Sequence, residues 1–206
     1  MTIDFAILAG GQSRRFGAEK ANLPFGQSTL LEAVVNRLRE IRKEISPESE
    51  IMIVKKPESE VNVADVKIID DSSKKDGALI GVHTALIASA TDKCFIFACD
   101  TPFLSRKLIC KMLGMNDAYD ALVPIHKKGI EPLHAIYSRR CLKAIDLCIE
   151  MESFSAHSML KRVNTRFIQA KQFCDPEVAF ININTMEDYK RAFIKANSNK
   201  VLIKKP

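Results

Sequence analysis

The sequence predicts an α/β fold in which a mostly parallel sheet carries helices on both of its faces. Short apolar runs alternate with longer segments of helical periodicity through most of the 206 residues, and this alternation is typical of parallel sheets. Several apolar runs end abruptly in glycine or aspartate, at the strand ends where such sheets bind ligands. We expect one domain over residues 1–196 and a basic tail over residues 197–206.

The first third of the chain predicts three strands and one long helix. Residues 4–9 form a short apolar run that stops at glycine, and residues 51–54 and 66–69 are similar runs. A helix should begin near Thr29, because Thr29 and Glu32 have the spacing of a capping box. Its apolar residues recur at helical spacing until Ser46-Pro47 ends it, and they are Leu31, Val34, Leu38, Ile41 and Ile45.

The middle third contains the most apolar segments. Residues 78–90 are apolar at nearly every position, which indicates a buried helix with Gly81 as a point of close packing. Residues 94–99, CFIFAC, predict a central strand, and Ser105 can cap a helix that reaches about Met115. Residues 120–125 and 132–137 are expected to pair as a hairpin.

The last third predicts helices over residues 140–150, 155–162 and 187–196, with strands over residues 165–170 and 178–183. Each assignment rests on the period of the apolar residues.

Composition favours a small anionic substrate over a macromolecular partner. The chain has 31 Lys and Arg against 25 Asp and Glu, but it has no long basic run and no interleaving of basic and aromatic residues, so nucleic-acid binding would rest on net charge alone. The six cysteines lack zinc spacing and suit a reducing compartment. With neither a signal peptide nor a membrane-length apolar run, we expect a cytoplasmic protein.

The glycine-rich segment LAGGQSRRFGAEK, residues 8–20, is the first candidate for a functional loop. It follows a predicted strand, and glycine lets a backbone approach a ligand closely. Arg14, Arg15 and Lys20 can neutralise phosphate charge. The segment matches neither the Walker A spacing nor the dinucleotide fingerprint. A glycine-rich turn with solvated arginines remains the alternative.

Asp100 is the most specific candidate for a functional residue, because a carboxylate directly after a buried strand is a natural ligand for Mg²⁺. The alternative is an aspartate that caps the next turn. Asp71 follows a shorter predicted strand and could belong to a solvated turn. A metal at Asp100 on one side, with the cations Arg14, Arg15 and Lys20 on the other, is typical of a site for phosphoryl or nucleotidyl transfer. The four histidines lack metal-ligand spacing, and we interpret them as surface or hydrogen-bonded residues.

These segments together resemble the molybdenum cofactor guanylyltransferases, a family within the wider NTP-transferase group. The resemblance begins with residues 8–20 and continues in the same order as the family's motifs over nearly the whole chain. The later segments are DDS at 70–72 with GALIG at 77–81, FACDTPF at 97–103, EPLHAIY at 131–137 and FININT at 180–185. The sequence departs from the family's pattern at two places, and both could alter which base is selected. The loop before Lys20 is one residue shorter, and GALIG lacks the proline commonly found after its first glycine.

The resemblance implies a three-layer Rossmann-like nucleotidyltransferase fold and a set of residue roles. Leu8, Ala9, Gly10 and Gly11 would bind the guanine nucleotide. Lys20 would hold its phosphates with help from Arg15, and Asp71 would lie on the nucleoside side. Asp100 would bind Mg²⁺ and the nucleotide, while Asn182 and Asn184 would face the acceptor or complete the metal shell.

The reaction implied is attack by the phosphate of molybdopterin on the α-phosphorus of GTP, with release of pyrophosphate. Other cofactor-biosynthesis proteins would dock transiently. Gly10-Gly11 favours GTP, because the related cytidylyltransferases usually carry Ala-Gly there. The alternatives are a sister nucleotidyltransferase that uses CTP or acts on a sugar phosphate, and a nucleotide-binding regulator without catalysis.

Overall fold

The structure, a computed structural model, describes residues 2–10, 20–71, 73, 75–115 and 118–198. Most of the expected basic tail, residues 199–206, lies outside these ranges. The described strands are β1 (Asp4–Leu8), β2 (Pro24–Phe25), β3 (Ser28–Thr29), β4 (Ile51–Lys55), β5 (Lys67–Asp70), β6 (Lys93–Ala98), β7 (Ala121–His126), β8 (Gly129–Ile130), β9 (His134–Ser138) and β10 (Thr165–Gln169). The described α-helices are α1 (Leu30–Ile45), α2 (Ala78–Ala88), α3 (Arg106–Leu113), α4 (Leu142–Glu150), α5 (Ala156–Leu160), α6 (Pro176–Ala179) and α7 (Met186–Ser198).

Eight of the described strands form one mixed sheet with the order β10-β7-β9-β6-β1-β4-β5, and β8 pairs with β7. Strand β1 pairs in parallel with β4 and β6, and the pairs β4–β5 and β7–β10 are also parallel. Strand β9 runs antiparallel to both of its neighbours, β6 and β7. The mostly parallel sheet and the expected pairing of residues 120–125 with 132–137 are both confirmed.

Helices pack on both faces of the sheet, as the sequence predicts, because side chains alternate between the faces along each buried strand. One face buries Phe5 and Ile7 of β1 against helices α1 and α3. The other buries Ala6 and Leu8 of the same strand against helices α2, α4 and α5. Gly81 allows α2 to approach β1 closely, because a Cβ at that position would lie 3.0 Å from Leu8 Cδ1. The expectation of close packing at Gly81 is confirmed.

Helix α1 begins where the capping box predicts. Thr29 Oγ1 accepts a hydrogen bond from the backbone N–H of Glu32, and the Glu32 carboxylate accepts one from the backbone N–H of Thr29 at 2.7 Å. Four of the five apolar residues expected on its inner face are buried, whereas Ile45 at its last position is 36% exposed.

The expected strand over residues 178–183 is wrong. Asp175 caps a short helix by accepting a hydrogen bond from the N–H of Glu177, and Pro176 occupies a first-turn position of that helix. A proline suits this position because its missing N–H would have no partner there. Residues 180–183 follow in no regular element. The apolar run at 178–183 reflects packing against neighbouring side chains, since Phe180 contacts the rings of His126 and His134.

Candidate active site

Four of the side chains expected at the site meet beyond the carboxyl end of β6. Lys20 Nζ lies 2.7 Å from Asp100 Oδ2 and donates a second hydrogen bond to Asn184 Oδ1 at 2.8 Å. Asn182, with its amide nitrogen turned toward the carboxylate, donates to both oxygens of Asp100 at 2.6 Å. The cluster therefore holds one carboxylate, one ammonium and two amides in direct contact. It joins parts of the chain that lie 80 and 164 residues from Lys20.

The apolar sequence of β6 fixes the position of Asp100. Residues 94–97 are completely buried in the centre of the sheet, so the backbone that carries Asp100 leaves a rigid strand. Thr101 Oγ1 donates to the carbonyl of Ala98 at 3.0 Å and closes the turn that follows. The Asp100 carboxylate is engaged by Lys20 and Asn182, so it does not act chiefly as a cap for that turn.

The alternation of polar and apolar residues in the segment Asn182-Ile183-Asn184 places both amides at the site. Ile183 is completely buried with Phe25, Leu30 and helix α7, while Asn182 and Asn184 on either side are exposed. The backbone N–H of Ile183 donates to the carbonyl of Asp100 at 3.0 Å. This bond aligns the segment with the end of β6, so that both neighbouring side chains reach the same cluster.

The end of β1 lies between the ends of β6 and β4. The N–H of Cys99 donates to the carbonyl of Leu8 at 3.2 Å, and the N–H of Ala9 donates to the carbonyl of Val54 at 2.8 Å. Gly10 continues from this point as an exposed residue. Leu8, Ala9 and Gly10 thus lie beside the strand that carries Asp100, at the edge of the sheet where the sequence predicts them.

Asp71 is a buried and fully engaged carboxylate, not part of a solvated turn. It is 6% exposed, and its N–H extends the sheet by donating to the carbonyl of Lys55 at 2.7 Å. Its Oδ1 accepts hydrogen bonds from the N–H of Ser73 at 3.2 Å and from Thr84 Oγ1 at 3.4 Å. Its Oδ2 lies 3.2 Å from Lys56 Nζ.

Asp71 shares the carboxyl edge of the sheet with Asp100 but does not join the cluster around it. Its strand, β5, stands three places from β6 in the order β6-β1-β4-β5. At about 4.8 Å for each step between strands, the two carboxylates are separated by roughly 14 Å across the sheet. Gly11, Arg14 and Arg15 lie outside the described residues.

Two buried groups near the site have strongly shifted pKa values. Burial raises the pKa of the Cys99 thiol to about 12, and the neighbouring Asp100 carboxylate adds to the shift. Burial lowers the pKa of His134 to about 3. Cys99 is therefore a neutral thiol at neutral pH and a poor nucleophile. Both ring nitrogens of His134 lack a hydrogen-bond partner within the described residues, which corrects the expectation that every histidine is at the surface or hydrogen-bonded.

Lys56 is a further charged residue at this edge, and the sequence patterns gave no role to it. Lys56 follows β4 at the same edge of the sheet as the predicted site residues, and its ammonium contacts Asp71, Ser73, Lys75 and Asp76. A lysine directly after an apolar parallel strand was the signal that could have found it.

Carboxylate and amide oxygens are ligands that suit Mg²⁺, which takes one or two carboxylates and completes its shell with water and substrate phosphates. Asp100 provides the carboxylate, and the amide oxygens of Asn182 and Asn184 are the nearby candidates, that of Asn182 only once its amide group turns away from its bonds to Asp100. Within the described ranges, no cluster of three or more His, Cys, Asp and Glu side chains could hold a metal by itself. A carboxylate in contact with an ammonium at the carboxyl edge of a mostly parallel sheet is an arrangement expected of α/β proteins that bind nucleotides.

Comparison with known proteins identifies the family. The profile of the MobA-like NTP transferase domain matches residues 5–167, so the chain belongs to that family. A probable molybdenum cofactor guanylyltransferase from Pelotomaculum thermopropionicum is 32% identical over 94% of this chain and 93% of its own length. A molybdenum cofactor guanylyltransferase from Desulfosudis oleivorans is 33% identical over 90% of this chain and 92% of its own length.

The fold is shared with solved structures of the same group. The crystal structure of molybdopterin-guanine dinucleotide biosynthesis protein A from Archaeoglobus fulgidus superposes with a TM-score of 0.77 at 26% identity, and it covers 95% of this chain and 100% of its own. The three-layer nucleotidyltransferase fold is thereby confirmed. None of the helices in the described ranges combines the length and the apolar character needed to cross a membrane.

Proposed function

We propose that this protein transfers GMP from GTP to the phosphate of molybdopterin and releases pyrophosphate. The observation that carries the proposal is the convergence of Lys20, Asp100, Asn182 and Asn184 at one edge of the sheet. Relatives that are 32% and 33% identical over nine-tenths or more of this chain bear the name molybdenum cofactor guanylyltransferase. The 26% identical structural relative is named for molybdopterin-guanine dinucleotide biosynthesis.

The nucleotide would lie across the carboxyl ends of β5, β4, β1 and β6. Its nucleoside would be next to Asp71, and the backbone of Leu8, Ala9, Gly10 and Gly11 would contact it along the way. Its phosphates would reach Lys20, with Arg15 assisting. The roughly 14 Å between the ends of β5 and β6 suits a nucleoside with an extended phosphate chain.

Mg²⁺ would be held by the Asp100 carboxylate, with an amide oxygen of Asn182 or Asn184 available to complete the shell. When bound, it would stabilise the charge that develops on the transferring phosphoryl group. Lys20 contacts the same carboxylate, so it would exchange that partner for phosphate oxygens when the nucleotide binds. Asn182 and Asn184 would also face the acceptor.

The reaction forms a bond between an oxygen of the acceptor phosphate and the α-phosphorus of GTP. The bond from that phosphorus to the bridging oxygen of the β-phosphate breaks, and pyrophosphate leaves with the electron pair. The role of the chain is to align the two phosphates and to compensate charge, without a covalent intermediate on the protein. The raised pKa of Cys99, the thiol next to Asp100, agrees with this role.

The protein would act in the cytoplasm, where transient docking to other cofactor-biosynthesis proteins could deliver molybdopterin and receive the product. The six free cysteines fit a reducing compartment.

The test is pyrophosphate release from GTP with molybdopterin and Mg²⁺. Asp100→Ala should lower the rate by at least about 100-fold, the usual loss when a group that stabilises transition-state charge is removed. Asp146→Ala is the matched control, because Asp146 is a half-exposed carboxylate on α4 that pairs with His83. Full activity in Asp100→Ala would contradict the metal assignment. A parallel titration with CTP decides base choice, and tighter binding of CTP than of GTP would overturn the proposed nucleotide.

A further inference from the structure

We propose that Lys56 is a positioning residue that holds Gly10 and the segment of Asp71, Ser73, Lys75 and Asp76, both on the nucleoside side, in the arrangement that binds the nucleotide. The inference rests on the proposed function and adds a residue for which the sequence motifs give no role.

The ammonium group of Lys56 is engaged by Asp71, Ser73, Lys75 and Asp76. It donates to the backbone carbonyl of Ser73 at 2.8 Å and to that of Lys75 at 3.0 Å. It also lies 3.2 Å from Asp71 Oδ2 and 3.7 Å from Asp76 Oδ1. An ammonium group has three donors, and these contacts use all of them. Lys56 therefore acts on the nucleotide through this segment and not by touching it.

The segment that Lys56 holds contains two carboxylates that would otherwise repel each other. The side chain of Lys56 is 15% exposed and that of Asp71 is 8% exposed, so solvent screens this pair less than it would a surface pair. Without the ammonium, the buried Asp71 carboxylate would lose its one charged partner among the contacts described for it. The resulting repulsion between Asp71 and Asp76 would move this segment away from the nucleotide.

The stem of Lys56 lies against the first nucleotide-binding segment. A Cβ on Gly10 would lie 3.5 Å from Lys56 Cγ and 3.6 Å from the backbone nitrogen of Lys56. The side chain thus passes beside Gly10 before its ammonium reaches Asp71 and Ser73. One lysine at the end of β4 connects the exits of β1 and β5, which flank it in the sheet.

The test compares Lys56→Met with Lys55→Met and Lys56→Arg in nucleotide binding and steady-state kinetics. Lys56→Met keeps the stem and removes the charge. It should raise the Kd and KM for GTP about tenfold with kcat changed less than twofold, since one lost charge-assisted contact has this size. Lys56→Arg should recover most of the affinity. Lys55→Met should bind GTP like the wild type, because Lys55 pairs with the half-exposed Asp70.

Unchanged GTP affinity in Lys56→Met, or an equal loss in Lys55→Met, overturns the inference. In Lys56→Met, a fall in kcat together with a fall in thermal stability, with KM unchanged, also overturns the inference, because that pattern indicates a general structural role. The proposed function fails separately, if the wild type binds GTP but forms no pyrophosphate with molybdopterin. In that case the comparison of GTP affinities still tests Lys56. A wild type that binds no nucleoside triphosphate overturns both.

Discussion

Replacing Lys20 by methionine should strengthen metal binding and weaken nucleotide binding at the same time. Lys20 Nζ donates to Asp100 Oδ2 at 2.7 Å and to Asn184 Oδ1 at 2.8 Å. A divalent cation that binds Asp100 must compete with this ammonium, whereas a triphosphate is attracted by it. The effect of the Lys20 charge on metal binding and its effect on nucleotide binding therefore have opposite signs, and one substitution measures both.

The geometry sets the size of both effects. A hydrogen bond to a charged group contributes about 1.5–3 kcal/mol. The side chains of Lys20 and Asp100 are 16% and 15% exposed, so a value near 2 kcal/mol is appropriate, which corresponds to about 30-fold in affinity. Lys20→Met should thus bind a divalent cation about 30-fold more tightly without nucleotide, and should bind GTP without metal about 30-fold more weakly.

Electron paramagnetic resonance of free Mn²⁺, used in place of Mg²⁺, measures metal binding without nucleotide. Calorimetry in the presence of a chelator measures GTP binding without metal. Lys67→Met is the matched control, because Lys67 pairs with Glu50 at 3.6 Å at the opposite edge of the sheet, with both side chains about half exposed. Equal or weaker Mn²⁺ affinity in Lys20→Met would refute the competition for Asp100. Unchanged GTP affinity would refute the phosphate role.

Two further predictions concern stability. Gly77 has φ +149°, and a Cβ there would lie 2.6 Å from Phe154 Cβ, so Gly77→Ala should lower the free energy of unfolding, measured in urea, by about 3 kcal/mol. Gly129 has φ +129° with open space where its Cβ would be, so Gly129→Ala should lower it by only about 1 kcal/mol. Equal losses in the two variants would contradict the steric argument. Burial lowers the pKa of His134 from 6.5 to about 3, so below pH 6.5 the unfolded chain binds a proton that the folded chain does not. The free energy of unfolding should therefore fall as pH drops from about 6.5 toward 3, by about 1.4 kcal/mol per pH unit at most. His134→Leu should flatten this slope relative to the exposed control His157→Leu, and an unchanged slope would show that His134 does not cause it.

Local sequence patterns predicted most of the fold correctly. The capping box at Thr29, the apolar run of β6 and the serine before α3 each act within a few residues, so their structural outcome follows from the pattern. The prediction of a strand over residues 178–183 failed because the apolar residues of this segment pack against side chains from other parts of the chain. Asp175 and Pro176 form a helix start that outweighed the apolar pattern of a strand.

The sequence by itself determined which residues stand at the carboxyl edge of the sheet, because a buried parallel strand ends where its apolar run ends. It placed Asp100, Asp71 and the Leu8–Gly10 turn at that edge without reference to any contact. Only the tertiary structure decided that Lys20 reaches Asp100 and that Asn182 and Asn184 reach the same cluster. It also decided that the Lys56 ammonium contacts Asp71, Ser73 and Lys75. The reason is physical: these contacts join segments up to 164 residues apart, and only the order of strands in the folded sheet sets which of them meet.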